Sequence, residues 1–187
     1  MQAAGYNWEI DALDRLVIRG QQRSFESTFL LLPTSTGGIW TSDDVFLTNP
    51  DRNFTVFDYR QFFDSIGYAE GALKMDAIRE AAGYDFLDRE IRVPIHCFYG
   101  GGIATPERIV YDSTSAFPDA EPRLELGDGD GTVNRKSLEA CHRLRSRNAA
   151  VNVKYYHAVG HNEILHHPEL ISDVLRVAQR NETNTAH

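Results

Sequence analysis

A dense apolar run in the 187-residue sequence, Ile91 to Tyr99, leads directly into Gly100-Gly-Gly102. A run of that density, closed by glycine, is what a buried central strand ending in a tight loop requires. The chain beyond it alternates. Short strands are expected at 108–111 and 123–126, and a helix over 133–147 with Leu138, Cys141 and Leu144 on one face. A strand over 151–156 and a closing helix over 168–180 follow. Strand, loop and helix recurring in that order predict an α/β fold with a mostly parallel sheet flanked by helices.

The first half is less regular. A polar stretch over 1–28 carries an apolar patch at Leu13, Leu16, Val17 and Ile18. Phe29-Leu-Leu-Leu32, closed by Pro33, is a candidate buried strand whose four residues do not settle the type. Small polar residues around Trp40 predict a mobile loop over 34–44. Two short strands, 45–48 and 54–57, flank a turn composition at 49–53, and helical periodicity follows over 59–66 and 70–82, ending at Gly83. Three regions result: 1–90, 91–180 and a tail at 181–187.

A formal charge of −8 argues against nucleic acid, whose phosphates would repel the chain. The sequence has no basic run for an anionic membrane surface and no stretch of 18 apolar residues. Its start, Met1 to Ile10, lacks the apolar core of a signal peptide, which taken alone points to the cytosol. Two N-glycosylation sequons, at Asn53 and Asn181, point the other way, to a lumen or to secretion. The expectation is therefore that an N-terminal segment is missing. Cys97 and Cys141 fit either compartment, as two reduced thiols or as a pair.

Chemistry is concentrated in two segments. The first is Gly127-Asp-Gly-Asp-Gly-Thr-Val133, between an expected strand and helix. As a calcium loop it would use Asp128, Asp130, Thr132, Asn134 and Glu139, but Val133 stands where the sharp turn needs glycine. It also reads as a helix-capping turn, or as a catalytic acid presented at a strand's C-terminal end, the ligand-binding edge of an α/β sheet. The second is Ala158-Val-Gly-His-Asn-Glu163, where His161 follows a strand in a loop opened by Gly160. If strands 123–126 and 151–156 are parallel neighbours, both loops reach the same side. Acid before histidine is the order of an α/β-hydrolase triad, with the carboxylate holding the imidazole as a general base. His157 is the rival histidine, and a zinc site from His157, His161 and His166 or His167 lacks a recognised spacing. No Gly-x-Ser-x-Gly occurs; Phe63-Asp-Ser65-Ile-Gly67 places Phe where a nucleophile elbow needs a small residue.

Several motifs then fall in order. His96-Cys-Phe-Tyr-Gly-Gly-Gly-Ile-Ala-Thr-Pro106 and the acid loop 127–133 resemble stretches of the lecithin:cholesterol acyltransferase and lysosomal phospholipase family. So do Tyr59 to Gly71, and Arg19-Gly-Gln-Gln-Arg-Ser24 with Leu31-Leu-Pro33. The resemblance implies the C-terminal part of an α/β-hydrolase fold, with residues 1–90 lid-associated, a lid near 34–44 and the core in 91–180. It implies Asp130 as triad acid, His161 as triad base, a Cys97–Cys141 disulfide and sugar on Asn53. The implied activity moves a fatty acyl group from a glycerophospholipid to an alcohol or water, at a membrane or lipoprotein surface, in a lysosomal or vacuolar lumen or outside the cell. No cofactor is expected. The serine is expected upstream of Met1, leaving this chain inactive alone; a catalytically dead lipid-binding or regulatory module on the same fold is the alternative.

Overall fold

The structure, a computed structural model, describes residues 19–83, 93–114, 116–144 and 150–184. The apolar patch at Leu13, Leu16, Val17 and Ile18 lies outside them. Two compact units are formed, one drawn from Met1–Arg89 and Glu107–Leu126, the other from Glu90–Pro106 and Gly127–His187.

The first unit is built on aromatic side chains. Helices α1 (Arg19–Gln22), α2 (Glu26–Leu31), α3 (Tyr59–Ser65) and α4 (Gly71–Ala82) accompany a small hairpin of β1 (Leu47–Thr48) and β2 (Asn53–Phe54). Phe29, Phe54, Phe62 and Phe63 are fully buried together. Phe62 and Phe54 meet edge to face at 5.9 Å, as do Phe29 and Phe63 at 5.8 Å. Such pairs contribute roughly 0.5–1.5 kcal/mol each beyond the area they bury. Trp40 joins this core, which fixes the middle of the polar segment 34–44; that segment holds one 3₁₀ turn, Thr36–Gly38.

Phe29 to Leu32 is not a strand. Phe29 to Leu31 complete α2 instead: Phe29 is buried while Leu31, which would share its face in a strand, is 79% exposed. Leu32, ahead of Pro33, is already extended, because the proline ring disfavours helical backbone in the residue before it. Gly83 ends α4 in the left-handed conformation, its N–H bonded to the carbonyl of Glu80. Between β1 and β2 the Asn49 side chain accepts from the N–H groups of Asp51 and Arg52, closing the turn.

β1 pairs in parallel with β4 (Ile103–Val110), Leu47 opposite Ile109, and β5 (Arg123–Gly129) lies next to β4, giving the order β2-β1-β4-β5. The second unit takes the start of β4 and the end of β5, and adds a two-stranded parallel sheet. There β3 (Ile95–Gly101) pairs with β6 (Val151–His157) from Ile95–Val151 to Gly101–His157. This corrects one expectation: the strand before the acid loop and the strand before His161 are not ladder partners. β5 pairs beside β4, and β6 takes β3 instead.

The helix expected over 133–147 is also divided, into α5 (Arg135–Leu138) and α6 (Cys141–Leu144). The N–H groups of Ala140, His142 and Arg143 bond three residues back rather than four, which tightens the chain and interrupts the α-helical ladder. Cys97 on β3 and Cys141 at the start of α6 form a disulfide, their Cα atoms 6.4 Å apart. The last helix, α7 (Pro168–Asn184), is held to β6 through Asp173, whose buried carboxylate accepts from the Lys154 ammonium and, at 2.8 Å, the Tyr156 hydroxyl. A carboxylate taken out of water needs such partners. The chain is thus α/β, with a mixed and a parallel sheet and accompanying helices.

Candidate active site

Asp130 stands one residue beyond β5. Its Oδ1 accepts the N–H groups of Thr132 at 3.0 Å and Val133 at 2.7 Å, so the carboxylate folds the loop around itself. Gly131 has φ +89°, a conformation that side chains disfavour, and its N–H donates to Thr105 Oγ1 at 2.9 Å. Thr105 is completely buried, and its own hydroxyl donates to the carbonyl of Ile103. The acid is therefore held from both sides, with 5% of Asp130 exposed.

The histidine loop leaves β6 through Ala158, a non-glycine residue at φ +56°, whose N–H donates to the carbonyl of Gly101. Left-handed backbone at such a residue costs on the order of 1 kcal/mol and persists where the surroundings enforce it. A Cβ on Gly100 would run into the Val159 carbonyl, so glycine there lets the loop lie against the end of β3. Gly160 donates to the Glu163 carboxylate at 3.0 Å.

His161 meets the acid twice. Its backbone N–H donates to the Asp130 carbonyl at 2.9 Å, and its Nδ1 lies 2.9 Å from Asp130 Oδ2. An ionised carboxylate only accepts, so Nδ1 carries the proton and the neutral ring leaves Nε2 with a free lone pair. The side chain is 46% exposed, and no described residue bonds Nε2. The arrangement can take a proton at Nε2 and stabilise the resulting imidazolium.

The other candidates are placed elsewhere. Asp128, still within β5, gives one oxygen to the Gly102 N–H and the other to Arg135. The Arg135 guanidinium, helped by that amide, holds the Asp128 carboxyl below the usual carboxylate range. His157 closes β6 with Nδ1 3.3 Å from the Tyr155 hydroxyl. Ser65 ends α3 and donates to the carbonyl of Phe62. Among the described residues no three His, Cys, Asp or Glu side chains gather as metal ligands. Asn53 is exposed on β2, and Asn181 lies in α7 beyond the residues whose side chains are described.

Thr105 and Arg135 have no role on sequence pattern alone, and Gly100, expected to begin the loop that closes the strand, lies within β3 instead. Thr105 lies within the Gly-x-x-Thr-Pro stretch, but its part in holding the acid loop depends on its burial.

The family model described as lecithin:cholesterol acyltransferase matches residues 1–90 and 85–174. The human protein named lysosomal phospholipase A and acyltransferase is 41% identical over 145 residues, covering 78% of this chain and 33% of that protein. Chicken (Gallus gallus) phosphatidylcholine-sterol acyltransferase is 30% identical over 148 residues, 78% of this chain and 34% of its own length. Lecithin-cholesterol acyltransferase-like 1 of Arabidopsis thaliana is 29% identical over 174 residues, 93% of this chain and 38% of its own. The chain spans about a third of the length of these curated relatives. On the extent of these matches, the chain belongs to the lecithin:cholesterol acyltransferase family.

Proposed function

We propose that the chain carries the acid–base half of an acyl-transfer site that moves a fatty acyl group from a glycerophospholipid to an alcohol or water. The observation that carries this reading is the 2.9 Å contact between His161 Nδ1 and the buried Asp130 carboxylate, with Nε2 left free. The relatives' names supply the reaction class, phospholipase and acyltransferase. The nucleophilic serine belongs to the part of the family's length that this chain does not match. Its hydroxyl proton passes to His161 Nε2 as its oxygen bonds to the ester carbonyl carbon, and Asp130 stabilises the imidazolium. The imidazolium then protonates the departing lysophospholipid oxygen, leaving an acyl-serine. An incoming alcohol or water gives its proton to the same nitrogen as its oxygen bonds to the acyl carbon, and the imidazolium returns a proton to the serine oxygen as the serine–acyl bond breaks.

The same reading makes 91–180 the C-terminal part of an α/β-hydrolase core. It makes 1–90 lid-associated, with a lid near 34–44 that meets a lipid surface. Its compartment is a lysosomal or vacuolar lumen or the outside of the cell, where the Cys97–Cys141 disulfide persists and Asn53 and Asn181 are open to glycosylation. Two preparations test the proposal. Residues 1–187 alone should not hydrolyse a phospholipid or a nitrophenyl ester above buffer. Grafted in place of the matching third of the human relative, the chain should support fatty-acid release from phospholipid vesicles, and His161→Ala should abolish it. Turnover by the isolated chain, or a folded graft indifferent to His161→Ala, would overturn it.

A further inference from the structure

Arg135 opens α5, and its guanidinium makes three contacts. Nη1 donates to Asp128 Oδ2 at 2.9 Å, Nε donates to Glu139 Oε1 at 2.8 Å, and Cζ lies 4.7 Å from the ring centroid of Tyr155. Each partner belongs to a different part of the frame around Asp130 and His161. Asp128 is on β5, two residues before the acid, and its other oxygen is held by the Gly102 N–H just past β3. Glu139 follows α5, two residues before the disulfide at Cys141, and also receives the Tyr99 hydroxyl of β3 at 3.4 Å. Tyr155 is on β6, two residues before that strand ends and gives way to the histidine loop.

The strands that carry the acid and lead to the histidine share no ladder, since β5 pairs beside β4 and β6 pairs with β3. Their spacing must come from side chains and loops. Arg135 touches both strands at once. We propose that Arg135 is a positioning residue for the Asp130–His161 pair, tying Asp128 on β5 to Tyr155 on β6 so that the carboxylate and the imidazole stay in register.

Geometry favours this role over that of a surface charge. Arg135 and Asp128 are 40% and 42% exposed, and a single pair of that kind contributes little to stability. A guanidinium, however, can hold two carboxylates in its plane and lay its face on a ring, which an ammonium cannot do. The arginine remains charged throughout, its proton affinity raised by Glu139 and Asp128, so the tie does not switch off within ordinary pH.

The inference rests on the reading of Asp130 and His161 given above, and the test separates the two. In residues 1–187 labelled with ¹⁵N, the His161 Nδ1 proton should be visible by NMR and protected from water, and Asp130→Asn should remove it. Arg135→Met keeps the apolar stem but removes every donor. It should speed exchange of that proton about tenfold, in the middle of the range for residues coupled through one network. The β3 and β6 backbone amides should exchange as before, and Arg135→Lys should fall between. Should Arg135→Met unfold, raising salt on the unsubstituted chain screens the same bridge and should speed the same exchange. A protected Nδ1 proton that Arg135→Met leaves unchanged overturns the role of Arg135 alone. A chain with no protected Nδ1 proton overturns the pair itself, and with it this inference.

Discussion

Asp130 and His161 are bonded twice, side chain to side chain and backbone to backbone, each at 2.9 Å, across 31 residues of sequence. The two bonds do different things. The backbone bond fixes the histidine loop against the acid loop, and the side-chain bond selects the imidazole tautomer. Losing the second need not disturb the first, so the pair's chemistry can be altered while its position is kept.

Gly100 is where the loop's position is most exposed to a single methyl group. Gly100→Ala pushes a Cβ into the Val159 carbonyl, two residues before His161, with backbone on both sides unable to yield. Overpacking of this kind costs about 1–3 kcal/mol. Urea unfolding followed by circular dichroism should show a loss in that range, and an unchanged midpoint would mean that the loop does not lie on β3 as described.

How much of this was legible beforehand follows from what each feature depends on. The closing helix rests on local pattern and begins at Pro168 as that pattern places it, though it runs on to Asn184. β3, expected as a central strand over the apolar run 91–99, forms instead over Ile95–Gly101 in a two-stranded sheet. The acid loop and His161 each follow a strand, which is also a local signal. The ladder partners were not legible, because β5 and β6 read as consecutive βα units and nothing in their alternation says that β4 and β3 stand beside them. The break between α5 and α6 comes from bonds three residues back that an apolar stripe does not encode. Arg135 has no signal of its own; its position matters because Tyr155 folds beneath it.

The Cys97–Cys141 bridge closes a sequence separation of 44, for which the chain-entropy account gives about 4 kcal/mol. Thiol titration of denatured, unreduced protein from a secretory host should find no free thiol. Cys141→Ser should lower the unfolding free energy obtained from urea titration by about that amount. Two titratable thiols in such a preparation would remove the bridge and the main structural support for a luminal compartment.

Asp173 makes the attachment of α7 resistant to acid. The Lys154 ammonium and the Tyr156 hydroxyl push its carboxyl down to about 2. A carboxyl lowered in the folded state contributes stability that is fully present above its unfolded value of about 3.9 and is lost as pH falls through about 2. The stability difference between the chain and Asp173→Asn should therefore stay flat from about pH 7 to about pH 5 and shrink below about pH 4. A difference that changes between pH 7 and pH 5, read from urea midpoints at each pH, would contradict the anchoring.

Asp128 and His157 flank the pair without joining it, each committed to other partners. In the graft into the human relative, Asp128→Asn and His157→Ala should shift the melting temperature more than they shift turnover. Asp128→Asn silencing the graft outright would move the triad acid to the wrong side of Gly129.

Single-turnover acyl transfer from phospholipid by that graft, comparing Asp130→Asn, His161→Ala and the two together, reads the Asp130–His161 pair itself. Asp130→Asn keeps the shape of the acid but allows the wrong tautomer, a change that costs a serine-protease triad about 10⁴ in kcat. A loss of that order is expected for each single substitution and little more for the double, as for residues that act as a unit. Asp130→Asn retaining more than about a tenth of the rate, or losses that multiply in the double variant, would contradict it.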